Sequence, residues 1–182
     1  MDFIQTGIEG AYIVEPKVFG DHRGFFLESW SKKDFEAAGL FYDFIQDNQS
    51  KSRYGTVRGL HFQKGEHAQA KLVRVLEGVV LDVAVDLRRD SPTYGRHMAL
   101  ELSAENMRQL LIPRGFAHGF SVLSEEAVFA YKCDNFYCRE AEGGIRFDDP
   151  DLAVDWKISP QDAVTSDKDK LHPFFKDFES CF

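Results

Sequence analysis

Two β-rich runs, Lys71–Leu76 and Val79–Leu87, stand almost end to end with only Glu77-Gly78 between them, and this stretch constrains the fold most. Valine and leucine crowd both runs, as they do on pleated surfaces, and Glu77-Gly78 predicts a hairpin turn. In the second run Leu81, Val83, Val85 and Leu87 alternate with Asp82, Ala84 and Asp86, the period of a half-buried strand. Further strands are expected at Gly24–Ser29, Val57–Gln63, His97–Leu102, Gln109–Ile112, His118–Val122 and Val128–Cys133. Many short strands at such spacing predict an all-β jelly-roll barrel, one domain over residues 1–182, with a few short peripheral helices. One helix is legible: Ser31 caps it, Asp34 completes a capping-box pattern, and Gly39 stops it. A second helical turn is expected from Ser159-Pro160.

Composition narrows the partners. The net charge is -8, from 22 Lys+Arg against 30 Asp+Glu, which argues against non-specific nucleic-acid binding and requires a locally basic pocket for any anionic ligand. No apolar run approaches the ~18 residues of a spanning helix, and the opening residues Met1–Thr6 lack the pattern of a secretory leader. Cys133, Cys138 and Cys181 form no disulfide framework or zinc-knuckle spacing. Reduced thiols in a cytoplasmic protein are expected, and Asn48-Gln49-Ser50 is then a chance match to a glycosylation acceptor.

Chemistry concentrates in two segments. The first is Gly55–Gln63 followed by Lys71–Gly78, and the second is Ile112-Pro113-Arg114-Gly115-Phe116-Ala117-His118-Gly119-Phe120. Together they resemble the two motifs of the cupin superfamily, a jelly-roll barrel. His61 takes the first histidine place of that pattern and His118 the last. Gln63 stands where the second histidine belongs, and Lys71 where a glutamate belongs. An ammonium has no lone pair to give and repels a divalent cation, so a metal-dependent oxygenase or isomerase is disfavoured and no cofactor is expected. His61, Gln63, Lys71 and Val73 share strand parity, which allows them to face one interior. A histidine suits general-base work near neutral pH, and a neighbouring lysine can stabilise an oxyanion formed beside a carbonyl. Singly, each has a plain structural reading, as a core histidine and a solvated strand end. Burying both without a task is costly.

Phe19-Gly20-Asp21-His22-Arg23-Gly24-Phe25-Phe26-Leu27-Glu28, Gln46–Ser50, Arg58–Gln63 and Ser166-Asp167-Lys168-Asp169 resemble, in order along nearly the whole chain, the dTDP-4-dehydrorhamnose 3,5-epimerase family. That resemblance implies a proton relay: His61 as general base, Asp167 as the carboxylate that orients it, Tyr131 as acid on the opposite face, and Lys71 at the enolate oxygen. It also implies substrate binding by Arg23, Phe26, Glu28, Gln46, Asp47, Asn48, Arg58, His118, Tyr137, Glu142 and Lys168. Arg23 and Glu28 would come from a neighbouring subunit of a homodimer. The substrate implied is a dTDP-4-keto-6-deoxy sugar, inverted at C3 and C5 on the way to L-rhamnose. Sequence spacing alone does not bring Asp167 to His61, and Asp167–Lys170 reads equally as a solvated charge run. An epimerase inverting one centre, and a barrel that binds sugar without turnover, are the other readings.

Overall fold

The computed structural model describes residues 1–182. Strands β1 (Asp2–Gln5), β2 (Tyr12–Glu15), β3 (Val18–Asp21) and β4 (Gly24–Leu27) precede helix α1 (Lys32–Ala37). Strands β5 (Gln46–Arg53), β6 (Val57–Gln63), β7 (Lys71–Glu77) and β8 (Val79–Asp86) follow. The series closes with β9 (His97–Ser103), β10 (Gln109–Ile112), β11 (Phe116–Val122), β12 (Glu126–Cys133) and β13 (Glu142–Gly144). A six-stranded sheet runs β1-β2-β10-β7-β12-β5, a five-stranded sheet runs β13-β6-β11-β8-β9, and β3 pairs only with β4.

The two larger sheets face each other as an all-β jelly-roll barrel. Val73, Val75 and Ile112 from one sheet meet Ala84, Phe116 and Phe120 from the other. Phe120 stacks on Phe129 with ring centroids 4.2 Å apart, tying β11 to β12 across the interior. The sheets' outer faces are also covered. Helix α1 lays Phe35 against Val14, Leu72 and Leu111. The C-terminal segment sets Leu152 and Trp156 against Leu81, Val83, Val85 and Leu87.

Several expectations hold and several are corrected. Strands β6 and β10 have the predicted bounds, and Ser31 Oγ accepts the Asp34 N–H at 3.4 Å to cap α1. Glu77-Gly78 closes no hairpin, because β7 and β8 lie in different sheets. Gly78 instead turns the chain a corner at φ 79, where a Cβ would stand 2.1 Å from the Glu126 carbonyl oxygen. Only glycine fits that corner. Nor is β8 half-buried. Every residue from Val80 to Asp86 is buried, because the C-terminal segment covers its apolar face and its aspartates find partners on the other. Ser159-Pro160 starts only a turn, closed by the Asp162 N–H on the Ser159 carbonyl at 2.9 Å. No helix is long and apolar enough to cross a membrane.

Asp86 is the sharpest test of this packing. Burial would raise its carboxyl, but hydrogen bonds from Arg88, Ser91 and Thr93 hold it down at about 2. A folded value below the unfolded one adds stability that is complete above about pH 4 and lost as pH falls toward 2. Asp86→Asn is expected to cost about 2 kcal/mol near neutral pH in urea unfolding, with the gap to wild type narrowing between pH 4 and 2. A gap that does not change with pH would contradict the assignment.

Candidate active site

The barrel opens into a cavity of about 640 Å³ whose wall takes residues from both sheets. From the five-stranded sheet come His61 on β6 and His118 on β11, paired directly in register. From the six-stranded sheet come Asn48 on β5, Lys71 on β7 and Tyr131 on β12, with Tyr131 placed between Asn48 and Val73. Period-two alternation accounts for the selection, since each points inward while its chain neighbours point out.

His61 is oriented by a carboxylate, but not by the one expected. Asp167 is 99% exposed and pairs with Lys170 at 3.1 Å. Asp169 is 5% exposed, and its Oδ1 stands 2.7 Å from His61 Nε2. The physical reason is local. Ser166 Oγ accepts the Asp169 N–H at 3.1 Å and starts the single 3₁₀ turn Asp169–Leu171. That turn swings residue 169 inward and leaves residue 167 in solvent. Burial alone would raise the Asp169 carboxyl, yet the hydrogen bond and charge of His61, with Ser166 and His172, hold it below its ordinary value. An ionised carboxylate accepting from Nε2–H leaves the ring's lone pair on Nδ1.

Opposite stand Tyr131 and Lys71, with the ammonium 5.9 Å from the phenol ring centre. Burial raises the Tyr131 hydroxyl, further helped by Cys133, so it stays protonated near neutral pH. Burial pushes the Lys71 ammonium down. His118 forms the cavity floor and meets Asp82 at 2.9 Å with both side chains buried. Burial lowers the His118 imidazole despite that carboxylate. Gln63, in the place of a cupin ligand, accepts the Cys138 N–H at 2.8 Å.

The other expected residues divide into three groups. Tyr137, Glu142 and Lys168 form one cluster at the mouth: the Tyr137 hydroxyl donates to Glu142 at 2.6 Å and Lys168 pairs with Glu142 at 2.6 Å. Gln46 joins it by accepting the Tyr137 N–H at 3.0 Å, and Arg58 lines the cavity with its guanidinium on Ser52 at 3.1 Å. Asp47 is not brought in. Alternation along β5 turns it away from Gln46 and Asn48, onto Lys132 at 2.6 Å. Arg23, Phe26 and Glu28 are also absent from the cavity wall. They lie exposed on or just beyond the β3–β4 hairpin, with Arg23 on Asp21 at 2.6 Å and Phe26 68% exposed. Sequence reasoning missed Asp82, Asp169 and His172. Only Asp169 carried a usable signal, the Ser-x-x-Asp capping pattern at Ser166.

A carboxylate-paired histidine on one wall and a protonated phenol on the other are the kinds of group that isomerases of the acid–base type use. The comparisons place the chain more narrowly. The family model described as dTDP-4-dehydrorhamnose 3,5-epimerase matches residues 5–177. The Shigella flexneri dTDP-4-dehydrorhamnose 3,5-epimerase is 54% identical over 170 residues, covering 93% of each chain. The crystal structure of the Elizabethkingia anophelis enzyme of that name superposes with a TM-score of 0.94 at 58% identity, over 97% of each chain. A Legionella pneumophila epimerase solved in complex with dTDP-4-keto-L-rhamnose superposes at 0.93 with 47% identity, covering 98% of this chain and 94% of that one. The chain belongs to the dTDP-4-dehydrorhamnose 3,5-epimerase family, and it is an epimerase.

The two neighbouring aspartates separate cleanly by experiment. Asp169→Asn is expected to lower turnover by about 10²-fold or more, because an amide stabilises neither the imidazolium nor the Nε2–H tautomer. Asp167→Asn should stay within about twofold of wild type, as an exposed pair contributes little. Steady-state kinetics on both variants decide it, and the reverse ranking would restore Asp167.

Proposed function

We propose that the protein inverts C3 and C5 of dTDP-4-dehydro-6-deoxy-D-glucose, giving dTDP-4-dehydro-L-rhamnose for L-rhamnose formation. The observation that carries the reading is the opposition of His61–Asp169 and Tyr131 across one cavity, with Lys71 beside the phenol. A ketone at C4 acidifies the hydrogens on both adjacent carbons, so one carbonyl serves two inversions. His61 Nδ1 removes the proton from one face, and the electron pair moves into the ring to form an enolate. Lys71 hydrogen-bonds the enolate oxygen; its burial makes the ammonium a readier proton donor. Tyr131 delivers a proton to the opposite face, and the carbon is inverted. Asp169 holds His61 in the required tautomer and stabilises the imidazolium.

Arg58 and Lys168 offer the positive charge that a diphosphate needs on a chain of net charge -8. His118, Asn48, Gln46, Tyr137 and Glu142 supply polar groups around the sugar and base. Arg23, Phe26 and Glu28 serve the cavity of a partner subunit in a homodimer. The β3–β4 hairpin supports this: it leaves Phe19, Phe25 and Phe26 54%, 63% and 68% exposed, more aromatic surface than an isolated hairpin retains without a purpose. Asp47, facing outward onto Lys132, takes no part at the reacting carbons. The chain works as one domain over residues 1–182, in the cytoplasm, where its three thiols stay reduced.

In heavy water, NMR of the product should show deuterium at both C3 and C5. His61→Asn should lose that exchange entirely. Tyr131→Phe should keep exchange at a carbon that His61 deprotonates while losing its inversion, since the base can return a deuteron to the face it came from. Exchange surviving in the His61 variant would move the base elsewhere, and exchange at one carbon only would make this a single-centre epimerase. Sedimentation should give twice the 20.8 kDa chain mass; a monomer would remove the subunit-exchange role of Arg23.

A further inference from the structure

We propose that His61, Asp169 and His172 form a binding site for a zinc-like divalent cation, and that filling it switches the epimerase off; the switching half rests on the assignment of His61 as base. His172 has no part in the mechanism above. It follows the Asp169–Leu171 turn and packs its ring edge-on to His61, with centroids 5.7 Å apart at 69°. Its side chain is only 12% exposed, and its Nε2 is buried without a hydrogen-bond partner. Leaving a buried polar atom unsatisfied costs about 1–3 kcal/mol. The nearest candidate, Asp169 Oδ1, lies at 3.9 Å, beyond hydrogen-bond reach. Gly144 makes room for the ring, because a Cβ there would stand 2.5 Å from His172 Nε2.

One ligand atom from each of the three residues lies within 4.8 Å of the others. Two imidazoles and a carboxylate are a donor set that zinc takes in catalytic sites, with a fourth position left open. Bonds of about 2.0–2.1 Å place tetrahedral ligand atoms about 3.3 Å apart. The His61–Asp169 separation of 2.7 Å must therefore open and the His172–Asp169 separation of 3.9 Å must close. Each of these two changes is about 0.6 Å, and the two imidazole nitrogens, which lie within 4.8 Å of each other, must also draw toward that spacing by side-chain rotation. The fourth position then faces the cavity that His61 and Asp169 line.

The consequence for His61 follows from proton bookkeeping. The cation takes the place of the proton on Nε2, and a neutral imidazole keeps its one proton by moving it to Nδ1. The atom assigned as proton acceptor becomes a donor. Asp169 exchanges its hydrogen bond for a metal bond, and His172 Nε2 gains the partner it lacks. Nothing is oxidised or reduced. Of the four places of the cupin motif, this site shares only His61.

The test is zinc chloride titration of the intact protein against a chromogenic chelator, with epimerase turnover followed in parallel. One zinc per chain is expected, with turnover lost as it binds and restored by EDTA. His172→Asn should weaken zinc binding by about tenfold or more, as expected for loss of one of three ligands, and its turnover in metal-free buffer reports that it is folded. Should that variant lack turnover, its circular dichroism and thermal melt decide whether it is folded, and His172→Gln provides a second replacement. Cys138→Ser should bind zinc like wild type. Unchanged affinity in the folded His172 variants, or zinc lost with Cys138, overturns the site. Zinc binding that depends on His172 in a protein without metal-free turnover would keep the site and overturn the epimerase mechanism instead.

Discussion

A carboxylate has to leave water before His61 gains its partner in this barrel. Asp169 is 5% exposed and spends its ionised oxygen on His61, and the C-terminal segment is built to bring it there. That segment is fastened along the five-stranded sheet, where Ser121 donates to the Trp156 carbonyl at 2.7 Å and Val164 bridges Thr56, and it is tied to itself where the Phe175 N–H donates to Asp149 at 2.6 Å. Trp156 and Leu152 bury the outer face of β8 on the way. Covering the barrel and bringing the Asp169 carboxylate to His61 are thus done by one stretch of chain. A residue some hundred positions from His61 becomes its hydrogen-bond partner.

The opposing wall depends on a different constraint. His61 and His118 sit on one sheet, Lys71 and Tyr131 on the other, so the gap between His61 and Tyr131 is set by how far the two sheets are held apart. Val73, Phe120 and Phe129 pack that interior, and close-packed cores resist change in such spacings. The charges follow the same logic. Burial works against Lys71 and His118, yet both are retained, with the Asp82 carboxylate hydrogen-bonded to His118 and its charge also felt by Lys71.

Much of the architecture is legible because short β-rich runs recur along the chain and because apolar and polar residues alternate in the sequence of β8. What escaped did so for physical reasons. β5 reads Gln46-Asp47-Asn48-Gln49-Ser50-Lys51-Ser52-Arg53, with no apolar residue to betray a strand, because it is an edge strand whose inward positions line a polar cavity. The Glu77-Gly78 corner looks like a hairpin locally; only the pairing of β7 with β10 and β12 reveals the change of sheet. In β8 the aspartates read as solvent-facing, while in fact Asp82 meets His118 and Asp86 meets Arg88, Ser91 and Thr93. Parity alone relates His61, Gln63 and Lys71, whereas Tyr131, Asn48, Gln46 and Arg58 are reached only through the family resemblance. Asp167 was mistaken for Asp169 because both lie within one short motif, and the turn that separates them is a single residue-capped bend.

The mechanism requires the sugar ring to lie between His61 and Tyr131 when substrate is bound. The most direct measurement is a crystal structure of the His61→Asn variant, stalled before proton removal, with dTDP-4-dehydro-6-deoxy-D-glucose. The sugar ring should sit between residue 61 and Tyr131, one on each face, with its C4 oxygen turned toward Lys71. A ring bound outside this gap, or both side chains on the same face of it, would contradict the mechanism.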